Sequence, residues 1–122
     1  MANIQDSLKR LLELDGATGA CVVDSNSGMM LGTLGGSPTF SMEVAAAGNT
    51  EVVRAKRKTM SALRIGDGID DILVTMNSQY HLIRPLRTND ALFVYLVLDR
   101  ARGNLAMARH TLSAVEGELK VA

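Results

Sequence analysis

The sequence predicts an α+β fold, with one antiparallel five-stranded sheet carrying helices on its faces. Three observations predict it. Apolar residues recur at three-to-four spacing at both ends of the chain and along its middle, as on helices. Five short runs rich in β-branched and apolar residues lie between them. The turns within each strand group are too short for crossovers, so neighbouring strands run antiparallel.

The first helix is expected over Ile4–Asp15, with Ile4, Leu8, Leu11 and Leu12 on one stripe and Gly16 as a left-handed stop. A hairpin follows. The apolar run Ala20–Val23 and the segment Met29–Leu34 flank the turn-rich Asp24-Ser25-Asn26-Ser27-Gly28. After Gly35-Gly36-Ser37-Pro38, a long helix is expected over Thr39–Leu63, capped by Ser37 or Thr39, with Glu43 in its early turns. Gly66-Asp67-Gly68 ends that unit. Three strands are expected at Asp71–Met76, Tyr80–Leu86 and Ala91–Leu98. Pro85 cannot donate to a ladder, so a bulge or a strand end belongs there. The last helix spans Asn104–Leu119, with Asn104 as cap and Leu105, Ala108, Leu112, Val115 and Leu119 on its apolar stripe.

Length and composition bound the function. A chain of 122 residues fits one domain, residues 1–122, and can bury roughly two-thirds of its unfolded surface. Thirteen basic and thirteen acidic side chains cancel, so no global field draws the protein to nucleic acid or to an anionic membrane. Only Phe40, Tyr80, Phe93 and Tyr95 could stack on bases, which weakens a nucleic-acid reading further. Cys21 is the sole cysteine, which excludes an intrachain disulfide and fits a reducing cytoplasm. The opening MANIQDSLKR lacks the apolar core of a signal peptide, and no run is long enough to span a membrane.

Motifs that carry chemistry are largely missing. There is no G-x-x-x-x-G-K-[ST] phosphate loop and no G-x-S-x-G elbow. Gly66-Asp67-Gly68 lacks a third glycine and reads as a turn. The cluster Asp67, Asp70, Asp71 lacks the spacing and closing glutamate of a calcium loop, and reads as a solvated strand entry. His81 falls on a strand and His110 on the polar side of the last helix, with no paired-histidine metal spacing. Cys21, beside Val22 and Val23, reads as a buried structural thiol. No catalytic residue, cofactor or metal site is expected.

Two segments resemble a known family. GATGACVVDSNSGMMLG is similar to the first hairpin of Roadblock / dynein light chain domains, and YHLIRPLRTNDALFVYLVLDRARGNLAMAR to their last two strands and the entry to the final helix. The resemblance covers nearly the whole chain. It implies a profilin-like sheet in the order 2-1-5-4-3, which puts the Pro85 strand inside the sheet and calls for a bulge. It further implies a cytoplasmic homodimer whose second strands pair across a two-fold axis while the second helices lie side by side. By the same resemblance, the protein binds or regulates a small Ras-like GTPase or another NTPase partner and is not an enzyme.

The residues point separately to self-association. Met29, Met30, Leu31, Thr33 and Leu34 form an uncharged, proline-free strand, and an open edge of that kind invites pairing with its own copy. On the long helix, Met42, Ala46, Val53 and Met60 share one side, joined by Ala45, Val52 and Leu63. A separate small-residue line runs through Gly48, Ala55 and Ala62, with Val44 beside it. Two apolar faces ask for two neighbours. Asn49 and Lys56 interrupt the broader stripe, either to fix register in a dimer or as its margin. Arg54, Arg57 and Lys58 are candidates for an acidic partner surface, and Arg84, Arg87, Arg100 and Arg102 for a second basic area. The competing function is a small-molecule sensor on the same scaffold, which requires an enclosed apolar pocket.

Overall fold

The computed structural model describes residues 3–121. The elements are α1 (Ile4–Leu12), β1 (Ala17–Asp24), β2 (Met29–Gly35), α2 (Met42–Ala62), β3 (Ile72–Thr75), β4 (Gln79–Pro85), β5 (Leu92–Asp99) and α3 (Leu105–Glu118). Each helix starts at a polar cap. The side chains of Asn3, Ser41 and Asn104 accept the backbone N–H of Asp6, Val44 and Met107, satisfying donors that the first turn leaves open.

Two helix boundaries differ from the sequence expectation. Helix α1 ends at Leu12, because Glu13 and Leu14 already turn toward Gly16, whose φ of 82° reverses the chain into β1. Helix α2 is capped by Ser41, not by Ser37 or Thr39. Ser37 is occupied in a tight turn with Phe40, each accepting the other's N–H, at 3.1 and 3.0 Å.

The strands form one antiparallel sheet in the order β2-β1-β5-β4-β3. This is the order the family resemblance implied. Strand β5 is central, and Leu92 to Leu98 are all buried, because helices cover both of its faces. Alternate residues feed two cores. On one face Ala20, Val22, Leu82, Val94 and Leu96 pack with Leu8 and Leu11 of α1 and Leu112 and Val115 of α3. On the other, Cys21, Val23, Ile83, Phe93 and Tyr95 pack with Met42, Ala46 and Val53 of α2.

Pro85 sits at a strand end, and no bulge is needed. The β4–β5 register runs unbroken from Gln79↔Asp99 to Pro85↔Phe93. Leu86 donates its N–H to Leu92 O at 3.0 Å, so alternation aims the donor that Pro85 lacks at the β3 side. Strand β3 has already ended there, its last pair being Ile72↔Ile83. The register shifts elsewhere: in β2, where Val22↔Gly32 is followed by Val23↔Met30 and Leu31 is the extra residue, and in β1 against β5 between Ala17 and Gly19.

One charge pair is buried in the α3 face. Arg84 Nε donates to Glu116 Oε1 at 3.0 Å, with side-chain exposures of 9% and 4%. Glu116 Oε2 also accepts the Arg87 N–H at 3.3 Å, which ties α3 to the end of β4. Removing one partner strands a buried charge. Glu116→Leu is expected to lower stability by about 3–5 kcal/mol in urea denaturation, while Arg84→Met combined with Glu116→Leu recovers most of that loss.

Candidate functional site

The two faces of the sheet are unequally covered. Strands lie about 4.8 Å apart, so five of them present a surface roughly 20 Å wide. A helix is about 10 Å across. Helices α1 and α3 share one face, joined at its rim by an Arg10–Glu118 ion pair of 2.8 Å. The other face has α2 alone, which packs against β1 and β2. The half over β4 and β3 is left with half-exposed Ile72 and His81, and with Val74 37% exposed.

Hydrogen bonds fix which side of α2 faces where. Arg54 donates to the Asn26 carbonyl at 2.6 Å, and Gly28 lies beside Ala47 and Thr50, so this flank faces the β1–β2 turn. Val52, about 160° from Arg54 around the helix, points to the opposite flank, over the β4–β3 half. Asn49, on that same flank, donates its side-chain N–H to the Ala45 carbonyl at 2.8 Å. The exposed apolar side of α2 consists of Val44 (72%), Gly48, Val52 (40%) and Ala55, and continues into Leu63 (64%). Val52 and Leu63 therefore do not join the buried stripe of Met42, Ala46 and Val53, because no sheet-facing neighbour covers their flank.

Strand β2 is open as well, but it is a different surface. Met29, Leu31 and Thr33 are exposed, whereas Met30 and Leu34 turn inward to the α2 core and the α1–α3 core respectively. The bulge at Leu31 kinks this edge. A contact that covers the free flank of α2 meets β3 instead. Strand β3 is uncharged, reads Ile-Leu-Val-Thr and forms the other end of the sheet. Sequence reasoning singled out β2; Ile72–Thr75 at the opposite edge is likewise uncharged.

No protein-family model and no curated protein sequence matches the chain. Solved structures do. A Roadblock/LC7 domain from Streptomyces avermitilis superposes with a TM-score of 0.79 at 13% identity, covering 94% of this chain and 92% of that one. Myxococcus xanthus MglB gives 0.80 at 13% identity, covering 93% and 88%. The chain has the Roadblock/LC7 fold. A structure of MglB with a tetrameric arrangement matches too, with a TM-score of 0.70 at 16% identity over 94% and 88%.

Within this Roadblock fold the basic run is partly committed to the chain itself. Arg54 also pairs with Glu51 at 3.1 Å, and Arg57 donates to the Asp90 carbonyl at 2.6 Å. Lys56 and Lys58 remain exposed. The second basic area loses one member to the core and has another tied to the backbone. Arg84 is buried against Glu116, and Arg100 donates to the Met76 carbonyl at 2.8 Å while lying over the Tyr80 ring. Arg87 and Arg102 stand exposed.

The groups that could do chemistry are held in structural roles. Burial pushes the Cys21 thiol up to about 12, which keeps it protonated and a poor nucleophile. Asp71 is gripped by Arg109 at 2.8 and 3.1 Å, and among the described residues no acidic, histidine or cysteine cluster could hold a metal ion. A cleft of about 590 Å³ between Met60, Ile65, Asp67 and Pro85 is open to solvent and mixed in charge, unlike the enclosed apolar pocket a small-molecule sensor requires. Among the described residues no helix is long and apolar enough to cross a membrane.

His81 is the titratable imidazole on the α2 face, and its Nδ1 lies 2.9 Å from Tyr95 Oη. Burial lowers its pKa from the usual 6.5. Below that value the unfolded chain takes up a proton that the folded ring resists, so stability is full above pH 6.5 and falls as the pH drops through it. The half-exposed ring is partly screened, so the expected loss is below about 1 kcal/mol per pH unit. Thermal denaturation at pH 7.5 and 5.5 checks this, and His81→Gln should flatten the difference.

Proposed function

We propose that this chain is a homodimeric, non-catalytic scaffold or regulator whose second copy covers the free flank of α2 and pairs along β3. The observation that carries the reading is the half-covered sheet face. One helix cannot shield five strands, and Val44, Val52, Leu63 and Val74 remain in water. A two-fold contact supplies a second α2 for the same face and satisfies the β3 edge at once. Gly48 and Ala55 on the outer side let the two helices approach closely. Self-assembly has a precedent in this fold, since MglB is known in a tetrameric arrangement.

The partner class comes from the resemblance to Roadblock / dynein light chain domains. A dimer of this kind would dock a small Ras-like GTPase or another NTPase and act on it without chemistry of its own. The protected state of Cys21 and the internal pairing of Asp71 support the non-catalytic half of the reading. Exposed Lys56 and Lys58 lie beside the apolar face and suit an acidic partner patch. The reading includes one domain over residues 1–122, a cytoplasmic location, and no nucleic acid or membrane insertion.

Sedimentation velocity at micromolar concentration tests the dimer. The wild-type chain is expected to run as a dimer, with Val52→Glu and Val74→Lys shifting it to monomer and Leu31→Lys leaving it unchanged. A dimer broken only by Leu31→Lys would transfer the contact to β2. Co-purification with GTPases from the same genome tests the partner, and failure with every one leaves only the self-associating module.

A further inference from the structure

The free flank of α2 carries a pattern of its own. At about 100° per residue, Ala45, Asn49, Val52, Lys56 and Thr59 fall within a sector of about 80°, and Leu63 continues the line past the last turn. Their steps alternate between four and three residues, which is the spacing of a seam that meets another helix. Two polar residues interrupt the seam, Asn49 and Lys56, seven residues apart.

Neither is accounted for within the chain. Asn49 Nδ2 donates to the Ala45 carbonyl at 2.8 Å, which fixes the amide and leaves Oδ1 as an acceptor. Lys56 is exposed and joins no ion pair among the described residues. The residues three and four away from it are Val52, Val53, Thr59 and Met60, so its own helix offers it no carboxylate. Asn49 lies two turns off, roughly 10 Å along the axis.

The symmetry of a self-contact provides for both. A second copy that covers the same sheet face is related by a two-fold axis perpendicular to the sheet, so the two α2 helices run antiparallel. Val52 then meets its own copy at the axis. Asn49 and Lys56 lie three and four residues to either side of Val52, and Ala45 and Thr59 each seven. Antiparallel pairing sets Asn49 of one copy beside Lys56 of the other, twice over, with Ala45 beside Thr59. Sliding one helix by about one turn sets Asn49 against Val52 and Lys56 against Ala45. Both polar groups then lose water without gaining a partner.

We propose that Asn49 and Lys56 fix the register of self-association, the Lys56 ammonium of each copy donating to Oδ1 of the partner's Asn49. The inference rests on the proposed α2 contact and adds what the apolar residues there do not supply. Val44, Val52 and Leu63 can be covered in several registers, whereas a polar pair selects one, at some cost in stability. The lysine stem packs along the seam while its charged head stays near the rim. The flank is thereby complementary to itself, and the partner it fits is a second copy of this chain.

The test is a double-variant cycle on the full chain, read as the dimer dissociation constant in sedimentation velocity. Lys56→Met keeps most of the stem, removes the donor and should weaken the dimer several-fold. Asn49→Asp turns the contact into an ion pair and should tighten the dimer several-fold in low salt, with the gain lost in high salt. Combined with Lys56→Met, Asn49→Asp should give no gain. If Asn49→Asp does not fold, Lys56→Arg, which keeps a donor, should retain the affinity that Lys56→Met loses. A gain that survives Lys56→Met, a dissociation constant that neither substitution moves, or Lys56→Arg weakening the dimer as much as Lys56→Met overturns the register pair and leaves the dimer standing. A chain that is monomeric in every form removes the dimer reading and the pair with it.

Discussion

The constraint on which this molecule turns is the width of its sheet. Strand β5 must be covered on both faces, because seven consecutive residues from Leu92 to Leu98 are buried. Two helices accomplish that on one face and a single helix on the other. The result is a core that is complete around β1 and β5 and thins toward β3. Apolar residues that would be interior in a six-element layer, such as Val52 and Ile72, are at or near water. Exposed apolar residues on that helix flank and strand edge are the basis for the proposed self-contact.

Each face carries one buried polar link, and the two differ in kind. On the α1–α3 face, Arg84 and Glu116 are both charged and both nearly inaccessible, so they hold α3 in one register and tolerate no half-measure. On the β4–β5 half of the α2 face the link is neutral, running from Tyr95 through His81 to Gln79. A neutral chain costs less to bury than an ion pair, and it can be rearranged by a single proton. The helix held by the ion pair is fully packed.

Much of the fold was legible in the sequence because local signals and burial agree there. The α3 stripe from Leu105 to Leu119, the Asn104 cap and the Asp24–Gly28 turn all stand where the pattern put them. The misreadings come from places where two signals compete. Ser37, Thr39 and Ser41 are equally good caps by type, and only the Ser37–Phe40 turn decides among them. Leu63 follows the sheet-facing stripe by spacing yet is 64% exposed, because spacing cannot say how much of the sheet a helix covers. Arg84 looked like surface charge, yet Leu82, Ile83, Pro85 and Leu86 around it are all buried, and a charge inside such a run requires a partner. Glu116, next to Val115 on the last helix, was the matching signal.

The orientation of α2 also explains why its free side suits docking. Arg54 and Arg57 reach back to the carbonyls of Asn26 and Asp90, in the β1–β2 and β4–β5 turns, and so clamp the second half of the helix to one end of the sheet. Met42 anchors the first half against Gly19 and Gly36 at the other end. A helix fixed at both ends presents Val44, Gly48, Val52 and Ala55 in a set geometry, so an incoming helix orders little that is not already ordered. Preorganisation of that sort lowers the entropy lost on association. Two of the three basic side chains, Arg54 and Arg57, thus have a structural task as clamps, while Lys58 stays exposed and Val44, Gly48, Val52 and Ala55 form the apolar surface of the helix.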